Sequence, residues 1–520
     1  MDYIFVPIGL WIVYIIYTVF WRLYLSPIAH IPGPRLAALT LLYEIYYDAW
    51  LGGQYTFKII ELHKQYGPII RISPWELHIS DPDFYDTIYP SYSASRRSDK
   101  YPYYTRYIGL DFSGFGTVEH DLHHKRRSAL QPYFSTASVR RLQPVMQERI
   151  DVLLKRMNGF KDTDEVFSAT SMFSAFTNDL VSTYCFARCD HRLESQNFDP
   201  SARNAARAGV KTIHWLKNAP WINQVMIALP ESLTRSLHPA FATFLDQKRT
   251  TGTQVQKIMS GENEGWRGTD HPTIFHAILD SKLQPHEKTK ERLSDDAQAL
   301  IMAGTHTTAW TLEVITFWLL NQPETLRKLK EELLTVMPSV DDVGKVPLVT
   351  LEGLPYLTAV IKEGLRLSYG VSTRLQRIDP DNAIVFTDRT TGREWVIPPK
   401  TPVGMTSVQI HHDESIFTDS DKFIAERWLD NGGKKLGRYL VSFSKGSRNC
   451  LGANLAYAKL YLALACIWRL WGSGDVKGSD SVGVLSLFET DLRDVAIAAD
   501  EHVPATAEGS NGIRLKAHSA

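Results

Sequence analysis

The chain has 520 residues, a formal net charge of zero, and 22% charged and 44% hydrophobic side chains. A zero balance gives no basic surface of the kind that nucleic-acid binding needs, and the four cysteines, Cys185, Cys189, Cys450 and Cys466, are too few for a disulfide framework at this length. They fit a reducing compartment, and size alone allows two to four domains.

Tyr3 to Trp21 is an apolar run broken only by Pro7, Gly9 and Thr18, long enough to span a bilayer as a helix. A cleaved signal peptide is the alternative. Asp2 replaces the basic cluster such a peptide carries, and the run ends in Phe20-Trp21-Arg22 rather than in a small-residue cleavage site, so an uncleaved anchor is expected. Arg22 and Arg35 follow it and place the bulk of the protein on the cytosolic side. Pro27, Pro32, Gly33 and Pro34 then make a stiff, non-helical connector.

Ile69 to Ile72 and Glu76 to Ile79 read as short strands around Ser73-Pro74, and Asp81-Pro82 reads as a helix cap followed by its first position. Tyr101 to Val118 is aromatic, Gly-rich and irregular. Glu119 to Ser135 holds His120, His123, His124, Arg126 and Arg127. Such a cluster suits zinc, but no second ligand cluster accompanies it. His123 and Arg127 lie four apart, on one helical face. From about 136 to 290 several helices are expected, with Cys185 and Cys189 as core residues. Within that region Trp215 to Leu229 is apolar enough for a core helix or for a surface dipping into a membrane.

Ser294 to Gln322 reads as one long buried helix, with Ser294 as cap, Asp295 and Asp296 in the first turn, and Pro323 after its end. In its middle lies Ala303-Gly304-Thr305-His306-Thr307-Thr308, polar and glycine-bearing where a buried helix has no use for either unless something sits against it. Gly304 is expected to let a flat ligand approach the helix. Leu351 to Ser368 is a further helix carrying Glu363 and Arg366 on one face. Lys434, Lys435, Arg438 and Lys445 form a basic run that is either solvated surface or a docking site for an acidic partner. Beyond it, Phe443 to Gly452 sets Cys450 between two glycines, before an apolar helix expected over Leu451 to Trp471. A helix N-terminus and Arg448 are expected to stabilise a thiolate there. On its own, Cys450 is a nucleophile, a metal ligand or an inert core thiol. Residues after Trp471 are Gly/Ser-rich and then strand-like.

The segment Phe443-Ser444-Lys445-Gly446-Ser447-Arg448-Asn449-Cys450-Leu451-Gly452 follows the pattern Phe-x-x-Gly-x-Arg-x-Cys-x-Gly and resembles the haem-binding loop of the cytochrome P450 family. Ala303 to Thr307 is similar to the family's oxygen-activation motif, with His306 where an acid is usual. Glu363 and Arg366 match the family's Glu-x-x-Arg pair. Glu426-Arg427-Trp428 matches the segment that supplies a second arginine to it, with Ala425 in place of the commoner proline. Ile31-Pro32-Gly33-Pro34 resembles the hinge of membrane-bound members. The motifs occur in the family's order from the hinge onward.

The resemblance implies a cytochrome P450 fold, mainly α with small β-sheets, in one large domain. Residues 1–21 would be the transmembrane anchor, 22–40 the proline-rich linker and 41–520 the haem-thiolate monooxygenase domain. It implies haem b as cofactor, with Cys450 as the iron ligand. His123 (in place of the commoner tryptophan), Arg127, Arg377, Phe443 and Arg448 would bind the cofactor. Thr307, with His306 beside it, would act in catalysis, and the 101–118 loop and Val371 to Gln376 would line the substrate pocket. Glu363, Arg366 and Arg427 would form a structural network behind the haem.

No Gly-rich dinucleotide fingerprint or fused flavin domain is evident. Electrons are therefore expected from a separate NADPH-dependent cytochrome P450 reductase, with cytochrome b5 as an auxiliary donor. The expected substrate is a lipophilic small molecule, a terpenoid or other secondary metabolite, and the expected location is the endoplasmic reticulum membrane, single-pass, facing the cytosol. Two other readings stay open: a haem-thiolate peroxygenase or isomerase that needs no reductase, and a non-enzymatic haem-binding membrane protein.

Overall fold

The computed structural model describes residues 2–520 apart from 94–95, 106–108 and 270. Helices dominate. They include α1 (Asp2–Phe20), α2 (His120–Leu130), α3 (Ala169–Phe186), α4 (Ser201–Lys211), α5 (Ile213–Asn218), α6 (Pro220–Ala228), α7 (Pro239–Met259), α8 (Lys290–Asn321), α9 (Pro355–Ser368) and α10 (Ala453–Leu470). A five-stranded sheet orders Ile69–Arg71, Leu77–Ile79, Val403–Gly404, Arg377–Ile378 and Asp99–Lys100, with Ile69 opposite Ile79 and Leu77 opposite Val403. A four-stranded sheet joins Phe167–Ser168 to the C-terminal strands Arg514–His518 and Gly483–Leu487, then to Trp471–Gly472.

The stretch Val6–Leu25 is long and apolar enough to cross a membrane, and none of it is buried in the protein. It is tied on at its end, where Arg71 Nη1 donates to the Arg22 carbonyl at 2.7 Å. Ile28 and Ile31 of the proline-rich stretch are buried in one cluster with Ile69, Leu77 and Ile79.

Helix α8 runs through the core against α3, α7, α9 and α10. It starts four residues before the expected position. Thr289 caps it through the Arg292 N–H, because Lys290 to Leu293 are good helix formers and Thr289 holds the extended backbone a cap needs. Asp295 and Asp296 therefore lie inside the helix rather than in its first turn. They accept from Phe112 N at 3.1 Å and Gly114 N at 2.7 Å, pinning the irregular loop to the helix.

Gly304 lines an internal cavity, as expected, and also has a packing role. A Cβ there would lie 2.8 Å from Val181 Cγ2, so its open side also admits α3. The helix expected from Leu351 is two pieces, Leu348–Glu352 and Pro355–Ser368, because Pro355 fits only at a first position and starts a new helix. The cysteine helix begins at Ala453, two residues later than expected, after a turn at Leu451-Gly452.

Glu363 sits fully buried in the wall between α9 and the 424–428 turn. Its carboxylate accepts from Arg366 Nε at 2.9 Å and Nη2 at 2.8 Å, Arg427 Nε at 3.1 Å, Trp428 Nε1 at 2.7 Å and Ile424 N at 2.9 Å. Trp428 and the Ile424 amide complete a network that the Glu-x-x-Arg spacing alone does not reveal.

Candidate active site

The cysteine loop closes on itself where Cys450 N donates to the Phe443 carbonyl at 2.8 Å. Its tight turn needs Gly446: φ is +75°, and a Cβ would sit 2.3 Å from the Tyr89 and Pro90 carbonyl oxygens. Phe443 packs against Tyr457 of α10 with ring centroids 5.2 Å apart. Among the four cysteines Cys450 is the one classed as exposed, and its surface opens into an internal cavity of about 390 Å³.

The expected electrostatics of the thiol are corrected by the geometry. Burial is the strongest influence and holds the Cys450 thiol above its ordinary pKa, against the Gly452 N–H and Arg127, which pull it down. Arg448 does not act on it. That side chain is buried and directed away, donating to the Ser98, Thr117 and Val118 carbonyls at 3.0, 2.6 and 2.5 Å. Arg127 holds the loop, through the Asn449 carbonyl at 2.7 Å and the Asn449 Oδ1 at 2.6 Å.

His123, Arg127, Arg377, Phe443, Arg448, Cys450, His306 and Thr307 all line this one cavity. The helix carrying His123 and Arg127 spends its other basic residues elsewhere. Arg126 pairs with Glu287 at 2.8 Å, and His120 and His124 stack on Tyr92. Three cavity-lining cations escaped the sequence reading: Lys100, Arg207 and Lys459. Lys100, buried, donates to the Phe115 carbonyl and lies 3.6 Å from that ring's centroid. A single lysine in a two-residue strand carries no pattern to find it by. Burial, and then Arg448 and Arg377, hold Lys100 well below its ordinary pKa. Burial, and then Arg448, Lys100, Arg127 and Arg377, do the same to His123. Burial and Arg377 lower Arg448 to about 9.

These residues fit a haem. Lys100, Arg127 and Arg448 donate only to carbonyl and side-chain amide oxygens, and among the described residues none has a carboxylate within ion-pair distance. Buried positive charge without counter-charge is costly, and two propionates would supply it. The soft sulfur donor is the ligand type suited to the iron.

On the facing wall, Thr307 Oγ1 donates to the Ala303 carbonyl at 2.9 Å. His306 has a buried Nε2 without a partner. Burial first, then Arg203 and Arg207, push its pKa down to about 3, so it is a neutral imidazole near neutral pH and does not reproduce a carboxylate's charge. Lys459, from the middle of α10, is buried and reaches across to donate to the Gly304 carbonyl at 3.2 Å.

The sequence profile of the family described as Cytochrome P450 matches residues 33–471. The chain is a cytochrome P450. It is 47% identical over 505 residues to the cytochrome P450 monooxygenase tpcC of Cochliobolus heterostrophus, covering 97% of this chain and 95% of that protein. It is 44% identical over 502 residues to the monooxygenase astB of Talaromyces wortmannii, covering 95% and 94%. It is 38% identical over 505 residues to the N-acetyltryptophan 6-hydroxylase ivoC of Emericella nidulans, covering 96% and 94%. This P450 is therefore an oxidoreductase of the monooxygenase type with a haem cofactor, similar to fungal enzymes of secondary metabolism. That sets aside the non-enzymatic haem-binding protein.

The stretch Trp215 to Leu229 forms the last four residues of α5 and all of α6. Ile213 and Leu216 line the cavity, whereas Trp215, Trp221 and Val225 are exposed. Within the stretch, Leu216 thus faces the cavity while the three exposed side chains face outward. The side chains of Pro220, Asn223 and Ile227 lie outside the described residues. In the basic run before the cysteine loop, Arg438 pairs with Asp83 at 2.6 Å and Lys445 with Asp86 at 2.9 Å. Lys434 and Lys435 are exposed.

Proposed function

We propose that this chain is a membrane-anchored haem b monooxygenase that hydroxylates or epoxidises a lipophilic secondary metabolite, of terpenoid or similar character. The convergence of Cys450, Thr307, four buried basic residues and the half-buried Arg127 on one cavity supports the reading most directly. Cys450 would ligate the iron, while His123, Arg127, Arg377, Arg448 and Lys100 would hold the propionates and Phe443 would pack beside the sulfur. When bound, the haem-thiolate centre supplies the cleavage of dioxygen and insertion of one atom into substrate, assisted by thiolate electron donation.

Thr307 would hold a proton-relaying water at its hydroxyl, which its bond to the Ala303 carbonyl orients. The loop fixed by Asp295 and Asp296 would shut water out above the substrate. Electrons would come from NADPH through a separate cytochrome P450 reductase, with cytochrome b5 as an auxiliary donor. Lys434 and Lys435 would be the free charges on the docking face. The apolar helix Val6–Leu25 supports an endoplasmic reticulum anchor with the catalytic domain in the cytosol. Residues 22–40 would act as its linker and 41–520 as the catalytic domain.

The test is co-expression with a reductase, feeding of candidate precursors and mass spectrometry of the products. Turnover should require NADPH and reductase, and turnover sustained by peroxide alone would favour the peroxygenase reading. Cys450→Ala should lose the haem-thiolate carbon monoxide difference band. A normal band in that variant would remove Cys450 as the ligand.

A further inference from the structure

A cavity for an apolar ligand carries a few polar groups that set the ligand's orientation. Here several are already engaged by the protein itself. Asp296 accepts from Gly114 N at 2.7 Å, and Thr212, Ser407 and Ser442 donate to backbone carbonyls at 3.0, 2.7 and 2.7 Å. Arg207 and His306 are not.

Arg207, on α4, is half-buried and lines the cavity, and it makes no hydrogen bond or ion pair among the described residues. It feels the charges of Glu313 and Glu501, but both carboxylates stay beyond ion-pair distance. Glu313 instead accepts from the Thr170 hydroxyl at 2.7 Å. His306, on α8, lines the same cavity with its buried Nε2 unpartnered, and is close enough to Arg207 to feel its charge. At this position a carboxylate would have neutralised the guanidinium. An imidazole held neutral by burial does not, and leaves the cavity-lining guanidinium without an ion-pair partner among the described residues.

An uncompensated guanidinium in a low-dielectric cavity binds an oxyanion through short, charge-assisted and often paired hydrogen bonds. Arg203 also acts on His306 but does not line the cavity, so the one cavity-lining guanidinium beside the neutral imidazole balances a single negative charge. A phosphate dianion would remain half uncompensated. We propose that Arg207 and His306 form an oxyanion subsite in the substrate cavity, which takes the carboxylate or ionised phenol of an otherwise apolar substrate. The proposal rests on the monooxygenase reading above and narrows its substrate class to lipophilic acids. Anchoring at α4 and α8 would fix one end of the substrate and so select the carbon presented for oxidation.

The test is titration calorimetry of the purified haem-loaded enzyme with three probes: naphthylacetate, its methyl ester, and a nitronaphthol that is ionised at neutral pH. The wild type should bind naphthylacetate about 10- to 100-fold more tightly than the ester, the range of a charged hydrogen bond. Arg207→Leu should abolish that preference by weakening acid binding, with ester affinity little changed. Arg207→Lys should retain part of it. His306→Asp should also abolish it, because the new carboxylate occupies the arginine. Nitronaphtholate bound as tightly as naphthylacetate makes the site a general oxyanion site, and a preference for one of them assigns the group.

Equal binding of acid and ester, no binding of either acid, or an acid preference that survives Arg207→Leu overturns the subsite. The carbon monoxide difference spectrum is recorded on the same samples. A normal haem-thiolate band without acid preference sinks the subsite alone, whereas no band in the wild type sinks the reading beneath it.

Discussion

Replacing Glu363 by Gln removes the one negative charge in a fully buried network and keeps its volume. The lost carboxylate accepts five hydrogen bonds, three of them from arginines and one each from Trp428 Nε1 and Ile424 N. Arg366, itself fully buried, would keep the His411, Ser420 and Lys422 carbonyls at 2.9, 2.6 and 2.9 Å but lose its counter-charge. Removing one partner of a buried pair costs about 3–5 kcal/mol. At about 2.1 cal/mol/K per residue, the unfolding entropy of 520 residues is about 1.1 kcal/mol/K. The apparent Tm should therefore fall by about 3–5 °C. Removing both Glu363 and Arg366 in favour of leucines should recover only part of the loss, because the three carbonyls that Arg366 serves would then be orphaned. Scanning calorimetry of the holoenzyme checks this. A Gln variant melting within about 1 °C of the wild type would show that the network is not holding the fold in the way this geometry requires.

Thr307→Ala should leave NADPH oxidation running while product formation falls about 10- to 100-fold, with Thr307→Ser restoring coupling. Product formed in unchanged ratio to NADPH consumed would take the hydroxyl out of the mechanism. Acidification should destabilise the fold through histidines held neutral by burial: His63 at about 4 and His411 at about 3, with His78 well below its ordinary value. These folded-state pKa values lie below the unfolded value of about 6.5, so the unfolded chain binds the extra protons and stability drops as pH falls from about 6.5 toward 4 and 3. His63 alone accounts for on the order of 3 kcal/mol across that window. His411 has no acceptor for a second proton, since Nε2 already accepts from Val441 N at 3.0 Å and Nδ1 faces the Arg366 carbonyl at 2.8 Å. Denaturant titrations should show a shallower acid limb in His411→Gln, and an identical slope would refute the assignment.

Much of the site was legible in the sequence because its strongest signals are local. The cysteine loop needs Gly446 at one strained φ and Cys450 at one place before a helix, so ten consecutive residues carry most of its geometry. Glu363 and Arg366 sit one helical turn apart for the same reason. Helix ends were less legible. Ser294 is as good a cap as Thr289 by residue type, and only the placement of the 112–114 loop shows why Asp295 and Asp296 belong inside the helix. Arg448 and Arg127 lie close to the cysteine in sequence and in space respectively. Arg448 is expected from its position to act on the thiol and does not, because its side chain is drawn to three carbonyls of the 98–118 segment.

The cations least visible in the sequence are the ones whose meaning depends on what is missing around them. Lys100, Arg207 and Lys459 belong to no motif, and in a chain with zero net charge and 57 basic residues each would pass for a surface group. Position changes that. Lys459 acquires a role from the one carbonyl it reaches, Lys100 from the arginines crowded beside it, and Arg207 from having no ion-pair partner among the described residues. The sequence does show that an imidazole stands at 306 where an acid is usual. Its consequence appears only when α4, about a hundred residues upstream, is laid against α8, because the charge that acid would have balanced is carried there. A departure that the sequence shows only as an imidazole in an acid's place would thus, in three dimensions, change what the cavity holds.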